Sequence, residues 1–455
     1  RKLMESTKNT KLGRLESTFS RRDLLKGATP LAAAANVQKA FRDKGKDKDK
    51  DKGKDKEPTG TPAGTVWLYI GTYSVNLVQP PVQVPGPRGR NGKGIYLCSL
   101  DLSTGELTVV RLVAPAEPVA GTVQGTSSPS TIALDPTRSF LYAGNEYGPP
   151  GAVSAYSINR QTGDLTLLNA VPTQGAPAHV SVDQKGKYLF SAEYSGSWFE
   201  VYEILGNGSI GNRVFQFQTL GNVDTSFTSK PATSAPDGSF AFSAHEGPNG
   251  HPHQMETDPS NQWVVGSDAG QDRIYVWKLT QGGTPPLTPA ATPFVTTPAG
   301  DGPRHFAFHP NGIWMYSIQE EGSTIIFWRF NPATGALVNE QQVPSVPPGF
   351  TGTNFTSEIR VAADGDFVYG ANRLNDTISV FRVGRDGRLT QESHDSTLGD
   401  YPRIFTIDPS GRFMAVGNQF ADNVTTFSVN PGTGSLKFTG NYTPVGSPSG
   451  MVYLF

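Results

Sequence analysis

The sequence predicts an all-β fold, a seven-bladed β-propeller with four antiparallel strands per blade, and three observations carry that prediction. The 455 residues include 51 Gly and 36 Pro with only 17% charged residues, a turn-rich balance that suits many short strands rather than long helices. One phrase of roughly fifty residues returns along the chain, the length of a propeller blade. The N-terminal copy of that phrase lacks its first strand, and the C-terminus supplies a first strand with nothing after it.

Taken in order, residues 1–41 stand outside the repeat. The stretch "STFSRRDLLKGATPLAAAA" (Ser17 to Ala35) places Arg21 and Arg22 before a weakly apolar, alanine-rich run and resembles a twin-arginine export signal. That resemblance implies a twin-arginine translocase as partner and an extracytoplasmic destination, periplasmic or secreted; a cytoplasmic location is the alternative. Residues 42–64 alternate lysine and aspartate with glycine, which cannot repay the entropy of ordering and reads as a disordered linker. The propeller is expected over residues 65–455. No run in the chain reaches the roughly 18 apolar residues of a membrane span. The formal net charge of -1 gives no broad positive field for nucleic acid.

The first blade opens on "VWLYIGTY" (Val66 to Tyr73) and "GIYLCSLDLSTGEL" (Gly94 to Leu107), a second and a third strand. Cys98, the single cysteine, sits there in an apolar run and reads as a small buried hydrophobe. Full copies follow from Ser128, Ala176, His251, Gly302, Ser357 and Tyr401. Each has an alternating strand, a turn of the Asp-Pro-x-Gly kind, an aromatic-rich strand, a polar turn, a third strand, a Thr-Gly turn and a weak fourth strand. The turn positions Pro136, Gln184, Pro259, Pro310, Ala363 and Pro409 recur after 48, 75, 51, 53 and 46 residues. The spacing of 75 marks an insertion, placed at residues 221–250, long enough to cover one face. The closing "GSPSGMVYLF" completes the first blade if the two ends of the chain pair, which leaves the ring no open sheet edge.

Four phrases are more specific than the repeat: "HPHQ", "GPRHFAFHPNG", "SEIRVAADGDFVYGANR" and "YPRIFTIDPSGRFMAVGNQ". In these the chain, from Val66 to Phe455, resembles the seven-bladed propeller lactonase family, which holds the propeller type of 6-phosphogluconolactonase and the carboxymuconate lactonising enzymes. The resemblance implies a lactone hydrolase acting on a small sugar lactone, with no cofactor. It maps the family's catalytic set onto His253, Arg304, Glu320 and Arg373, and His251, His305, Glu358 and Arg360 are set beside them as substrate-binding residues. The family reads Asn-Glu-Leu where this chain has Gln319, Glu320 and Glu321, so Glu321 rivals Glu320; Glu193 stands where the family commonly has asparagine.

Geometry independently converges the catalytic four. The first strand of a blade lines the channel and the second returns antiparallel, so the start of one and the end of the other share a face. His253 and Arg304 open first strands, whereas Glu320 and Arg373 close second strands, so all four point toward one channel mouth from three successive blades. Hydrolysis of a cyclic ester needs a base to activate water, and Glu320 or His253 fits. It also needs fixed positive charge for the carbonyl oxygen and for a substrate carboxylate or phosphate, roles that Arg304 and Arg373 share in an order the sequence leaves open. No Gly-x-Ser-x-Gly elbow is present. The two histidines of "HPH" lack an obvious third metal ligand, so no metal is expected. Arg403 and His309 read as structural. Two other functions fit the same fold: a propeller that binds a ligand or partner without catalysis, and a cyclase that runs the lactone bond in the opposite direction.

Overall fold

The computed structural model describes residues 64–74, 90–123, 125–219 and 250–455. The expected export signal, almost all of the linker, and the insertion up to residue 249 lie outside the described residues. The described residues form seven four-stranded antiparallel sheets arranged as seven blades.

Blade 1 is made from both ends of the chain. Its inner strand, Pro448–Leu454, pairs with Thr65–Thr72, which continues to Gly94–Asp101 and Leu107–Pro115. Leu68 faces Tyr453 and Ile70 faces Met451 across the closing pair. The other blades run in chain order from their inner strands: Pro129–Leu134 (blade 2), Ala176–Val182 (blade 3), Pro252–Thr257 (blade 4), Pro303–Phe308 (blade 5), Thr356–Val361 (blade 6) and Pro402–Ile407 (blade 7).

The recurring aspartate explains the first turn of each copy. Asp135 accepts hydrogen bonds from the backbone N–H groups of Thr137, Ser139 and Phe140 at 2.7 to 2.9 Å, which ties the loop and starts the next strand in register. Asp183, Asp258 and Asp408 repeat the arrangement with the N–H groups of Tyr188, Trp263 and Phe413. Blade 5 has His309 there. Its Nδ1 accepts from the N–H of Asn311, and the side chain of Asn311 takes over the role by accepting from Ile313 and Trp314. His309 is therefore structural, as expected.

The core lies between blades. Seven apolar clusters correspond to the seven blade interfaces, from Val66, Leu68 and Ile70 against Ile404 and Phe413 at the closure to Tyr316 and Ile318 against Ile359 and Val368. Aromatic second-strand residues also reach across each seam. The Tyr69 hydroxyl donates to the carbonyl of Gly163 in the next blade at 2.8 Å, Tyr142 to Gly208 at 2.9 Å and Tyr316 to Gly387 at 2.8 Å. These glycines close turns at positive φ (75°, 85° and 89°), which lets the neighbouring backbone pass close to an aromatic ring. Cys98 is fully buried in the closure cluster, and burial pushes its thiol up to about 12, so it is an inert core residue.

Candidate active site

One structural device builds the channel mouth, and it repeats. Each inner strand slips register by one residue just after its start, as between Pro129 and Thr131, Pro252 and Gln254, Pro303 and His305, and Pro402 and Ile404. The extra residue of such a bulge is left out of the ladder, and its side chain is re-aimed from the pleat. In blades 2, 4, 5 and 7 that residue is Ser130, His253, Arg304 and Arg403. A second set sits at the ends of second strands, beside the inner-strand starts: Tyr73, Glu146, Glu320 and Arg373 just past the strand in blades 1, 2, 5 and 6, and Tyr194 just before the end of the strand in blade 3. The mouth is where the two sets meet.

On one side of it, Glu320 is pinned at both backbone groups, its N–H donating to Gly302 at 2.7 Å and its carbonyl accepting from Thr356 at 3.0 Å. Its carboxylate is paired with the Arg373 guanidinium through Oε1, while Oε2 lies 3.8 Å from Arg304 Nε. Arg373 has its nitrogens committed elsewhere too: to the carbonyls of Thr356 (2.9 Å) and Phe355 (3.4 Å) and to the Tyr401 hydroxyl (3.3 Å). Arg304 differs. Its NH1 donates to the carbonyl of Ser357, but Nε has no hydrogen-bond partner within the protein, and neither has Glu320 Oε2. The two atoms form an ion pair of 3.8 Å, too long for a hydrogen bond, so each keeps hydrogen-bonding capacity for a bound group. Glu321, the rival, is only half-buried; Glu320 is the one between the two arginines.

The electrostatics follow from burial. Burial alone raises the Glu320 carboxyl, but the charges of Arg373 and Arg304 outweigh it and hold the group below the usual carboxylate range. Burial, reinforced by the charges of Arg373 and Arg403, pushes Arg304 down to about 9, so it is still protonated at neutral pH but in a site that disfavours its charge. Burial and the Arg304 charge also push the His253 imidazole well below its ordinary 6.5, so it is neutral at pH 7.

A second wall was not visible as a unit in the sequence. The Tyr73 hydroxyl and the Ser130 hydroxyl each donate to Glu146 Oε2 at 2.6 Å, and Arg403 bonds the Tyr73 oxygen and lies 3.7 Å from the same carboxylate oxygen. Arg403 does hold structure together, as its sequence reading has it, but it does so as a member of the bulge set whose charge reaches His253, Arg304, Glu320 and Arg373. The signal was present: these residues occupy the same two repeat positions as the four that were singled out.

The residues expected to bind substrate divide. His251 is at the rim, its ring stacked on Tyr194 with centroids 4.4 Å apart and Nδ1 donating to the Tyr194 carbonyl at 3.0 Å. His305, Glu358 and Arg360 lie further along the inner strands. His305 Nε2 is 3.2 Å from His253 Nδ1, Glu358 Oε2 is 3.2 Å from His305 Nδ1, and Arg360 Nε is 3.3 Å from Glu358 Oε1. Besides His253 and one another, they meet Arg304 NH1, 3.4 Å from His305 Nε2, and the His179 ring, edge-on to His305. Glu193 accepts the Gly175 N–H at 2.5 Å, much as Asp268 accepts the His251 N–H at 2.7 Å, so it clamps the loop that enters its blade. Among the described residues no group of three or more His, Cys, Asp or Glu side chains is placed to hold a metal ion.

A seven-bladed propeller with a charge-paired cluster converging on one channel mouth is the class of protein these observations define. The chain belongs to the seven-bladed β-propeller lactonases: the family described as "Lactonase, 7-bladed beta-propeller" matches residues 67–453. The 6-phosphogluconolactonase of Bacillus subtilis is 29% identical over 375 residues, covering 81% of this chain and 92% of that protein. The 6-phosphogluconolactonase of Pectobacterium carotovorum is 31% identical, over 70% of this chain and 86% of its own length. Among solved structures, the periplasmic gluconolactonase of Pseudomonas aeruginosa is 26% identical, with a TM-score of 0.70 over 86% of this chain and 99% of that one.

Proposed function

We propose that the protein is a lactone hydrolase that opens a sugar lactone to its hydroxy acid with a water activated by His253. The observation that carries this reading is the placement of Arg304, a buried guanidinium whose Nε makes no hydrogen bond, beside a neutral imidazole and a carboxylate that is itself held by Arg373. Of the two bases that the sequence offers, His253 is the better one. Glu320 is clamped by two guanidiniums and one of its oxygens is committed to Arg373, whereas His253 forms no charge pair and stands in its base form at neutral pH, although the same positive charges weaken it as a base.

The steps follow from those roles. His253 removes a proton from water as the oxygen attacks the lactone carbonyl carbon. Negative charge on the carbonyl oxygen is met by Arg304, whose charge the site disfavours until an anion forms next to it. The ring C–O bond then breaks, the carbonyl re-forms, and the departing alkoxide takes the proton from the imidazolium of His253. Glu320 Oε2 is the acceptor for a substrate hydroxyl, and the Tyr73–Glu146–Arg403 wall faces the remaining polar groups. The three guanidiniums of Arg304, Arg373 and Arg403 favour a substrate with an anionic group, and the names of the relatives point to gluconolactones with and without a 6-phosphate.

The test is the rate of acid release from glucono-lactone and its 6-phosphate, compared with spontaneous opening. Activity is expected to stay level as pH falls through 6.5 and to decline only in more acid solution, because the depressed His253 keeps its base form below the ordinary imidazole range. An acid limb at or above 6.5 would remove His253 from the role of base.

We further propose export by the twin-arginine route. The support is the Arg21–Arg22 stretch and the periplasmic location in the name of the Pseudomonas relative. Replacing both arginines with lysine should retain the protein inside the cell, and a wild-type chain found whole in the cytoplasm contradicts the proposal.

A further inference from the structure

We infer that Glu358 and His305 form a hydrogen-bonded relay behind His253 that fixes its imidazole as the Nδ1–H tautomer and leaves Nε2 as the proton acceptor of the site. The inference rests on the hydrolase reading only for what that nitrogen does; the tautomer itself follows from three contacts in series and the charges of the groups that make them. Glu358 Oε2 lies 3.2 Å from His305 Nδ1, and His305 Nε2 lies 3.2 Å from His253 Nδ1. Arg360 closes the far end, with its Nε 3.3 Å from Glu358 Oε1.

Two assignments of protons make every contact a bond, one with His305 neutral and one with it doubly protonated, and the charge states of the groups select the first. Glu358 is ionised: burial alone raises its carboxyl, but Arg360 and His305 outweigh burial and hold it at about 2. A carboxylate only accepts, so His305 Nδ1 carries the hydrogen. His305 is neutral, since burial pushes it down to about 4 even against the pull of Glu358, and its Nε2 is therefore a bare lone pair. Two bare lone pairs 3.2 Å apart repel, so His253 Nδ1 carries a hydrogen and donates it. His253 is neutral as well, which leaves its Nε2 unprotonated.

The other neighbours make longer contacts with these rings. Arg304 NH1 is within hydrogen-bond reach of His305 at 3.5 Å from Nδ1 and 3.4 Å from Nε2, longer than the 3.2 Å contacts of the relay, and as a donor it can share only a bare lone pair of His305, which is Nε2. His179 meets His305 edge-on with ring centroids 5.6 Å apart, and Tyr194 meets His253 in the same way at 5.6 Å. The charges of Arg304 and Arg403 bear on His253 and disfavour its doubly protonated form. His305 and Glu358 are thus positioning residues. They came from the sequence as substrate contacts, and the relay gives them a role through His253 instead.

The experiment is long-range proton–nitrogen NMR on full-length protein labelled at histidine nitrogen, with the His253 signals assigned by their loss in His253→Gln. At pH 7 the wild-type protein should show His253 protonated at Nδ1 and bare at Nε2. His305→Leu removes the acceptor and should release that tautomer, lowering kcat roughly 100-fold, the scale of a general-base contribution, with little change in KM. His305→Gln keeps an acceptor oxygen and should restore both the tautomer and most of kcat. A wild-type His253 carrying its hydrogen on Nε2, or on both nitrogens, overturns the relay, as does an unchanged His253 spectrum in a folded His305→Leu protein. The expected tautomer in a protein that opens no lactone would leave the relay standing and overturn the hydrolase reading alone.

Discussion

Arg304→Ala should lower lactone turnover about 100- to 1,000-fold, the loss expected when one well-placed oxyanion donor is removed. Stability should change far less, for a reason the site itself supplies. The Arg304 charge is disfavoured by burial and by Arg373 and Arg403, so deleting it relieves a repulsion as it removes packing. Glu320 keeps its partner in Arg373, and so is not left as an unpaired buried charge. Steady-state kinetics together with a thermal melt separate the two effects. Arg385→Ala, at an exposed turn, is the control and should alter stability by no more than about 0.5 kcal/mol. An Arg304→Ala enzyme that retains a tenth or more of wild-type kcat would take Arg304 out of the transition state.

The larger structural effect should come from removing Gly450 to Phe455. Those residues include Met451, Tyr453 and Leu454, all buried, and burial of each contributes roughly 1.5 to 3 kcal/mol. Together that approaches the whole stability of an ordinary domain, about 5 to 15 kcal/mol. The deletion also strips the inner face of the strand Thr65–Thr72, whose Leu68 and Ile70 pair with Tyr453 and Met451, and opens a sheet edge inside a closed ring. The shortened chain is expected to aggregate or to lose its cooperative melt. A truncated protein that melts within a few degrees of the full chain would mean that the ring does not depend on its closing strand.

The blades were legible because their signals are local. The aspartate that opens a tight turn, at Asp135, Asp183, Asp258 and Asp408, and the strand alternation around it recur within a few residues of each other. The strand that closes blade 1 was legible because a first strand was missing at one end and unaccompanied at the other. The site was half-legible. His253, Arg304, Glu320 and Arg373 fall at strand ends that any blade brings to one face, and the structure assembles them with Arg304 and Arg373 flanking Glu320. The bulges were not readable, because a slip of one residue in pairing leaves no trace in hydrophobic alternation. Without them, Arg403 looks like any arginine early in a strand. Its contact with Tyr73 spans 330 residues of sequence and exists only because the ring closes. The relay was hidden for a related reason: His253, His305 and Glu358 belong to three different blades, and nothing local says that their rings and carboxylate stand in line.

The most direct test of lactone hydrolysis at this channel mouth is the initial rate of acid release when purified protein is added to glucono-lactone, or to its 6-phosphate, at neutral pH. The rate is expected to exceed spontaneous opening, to be proportional to protein concentration, to saturate with lactone and to collapse in Arg304→Ala. A folded wild-type protein that accelerates the opening of no sugar lactone would contradict it.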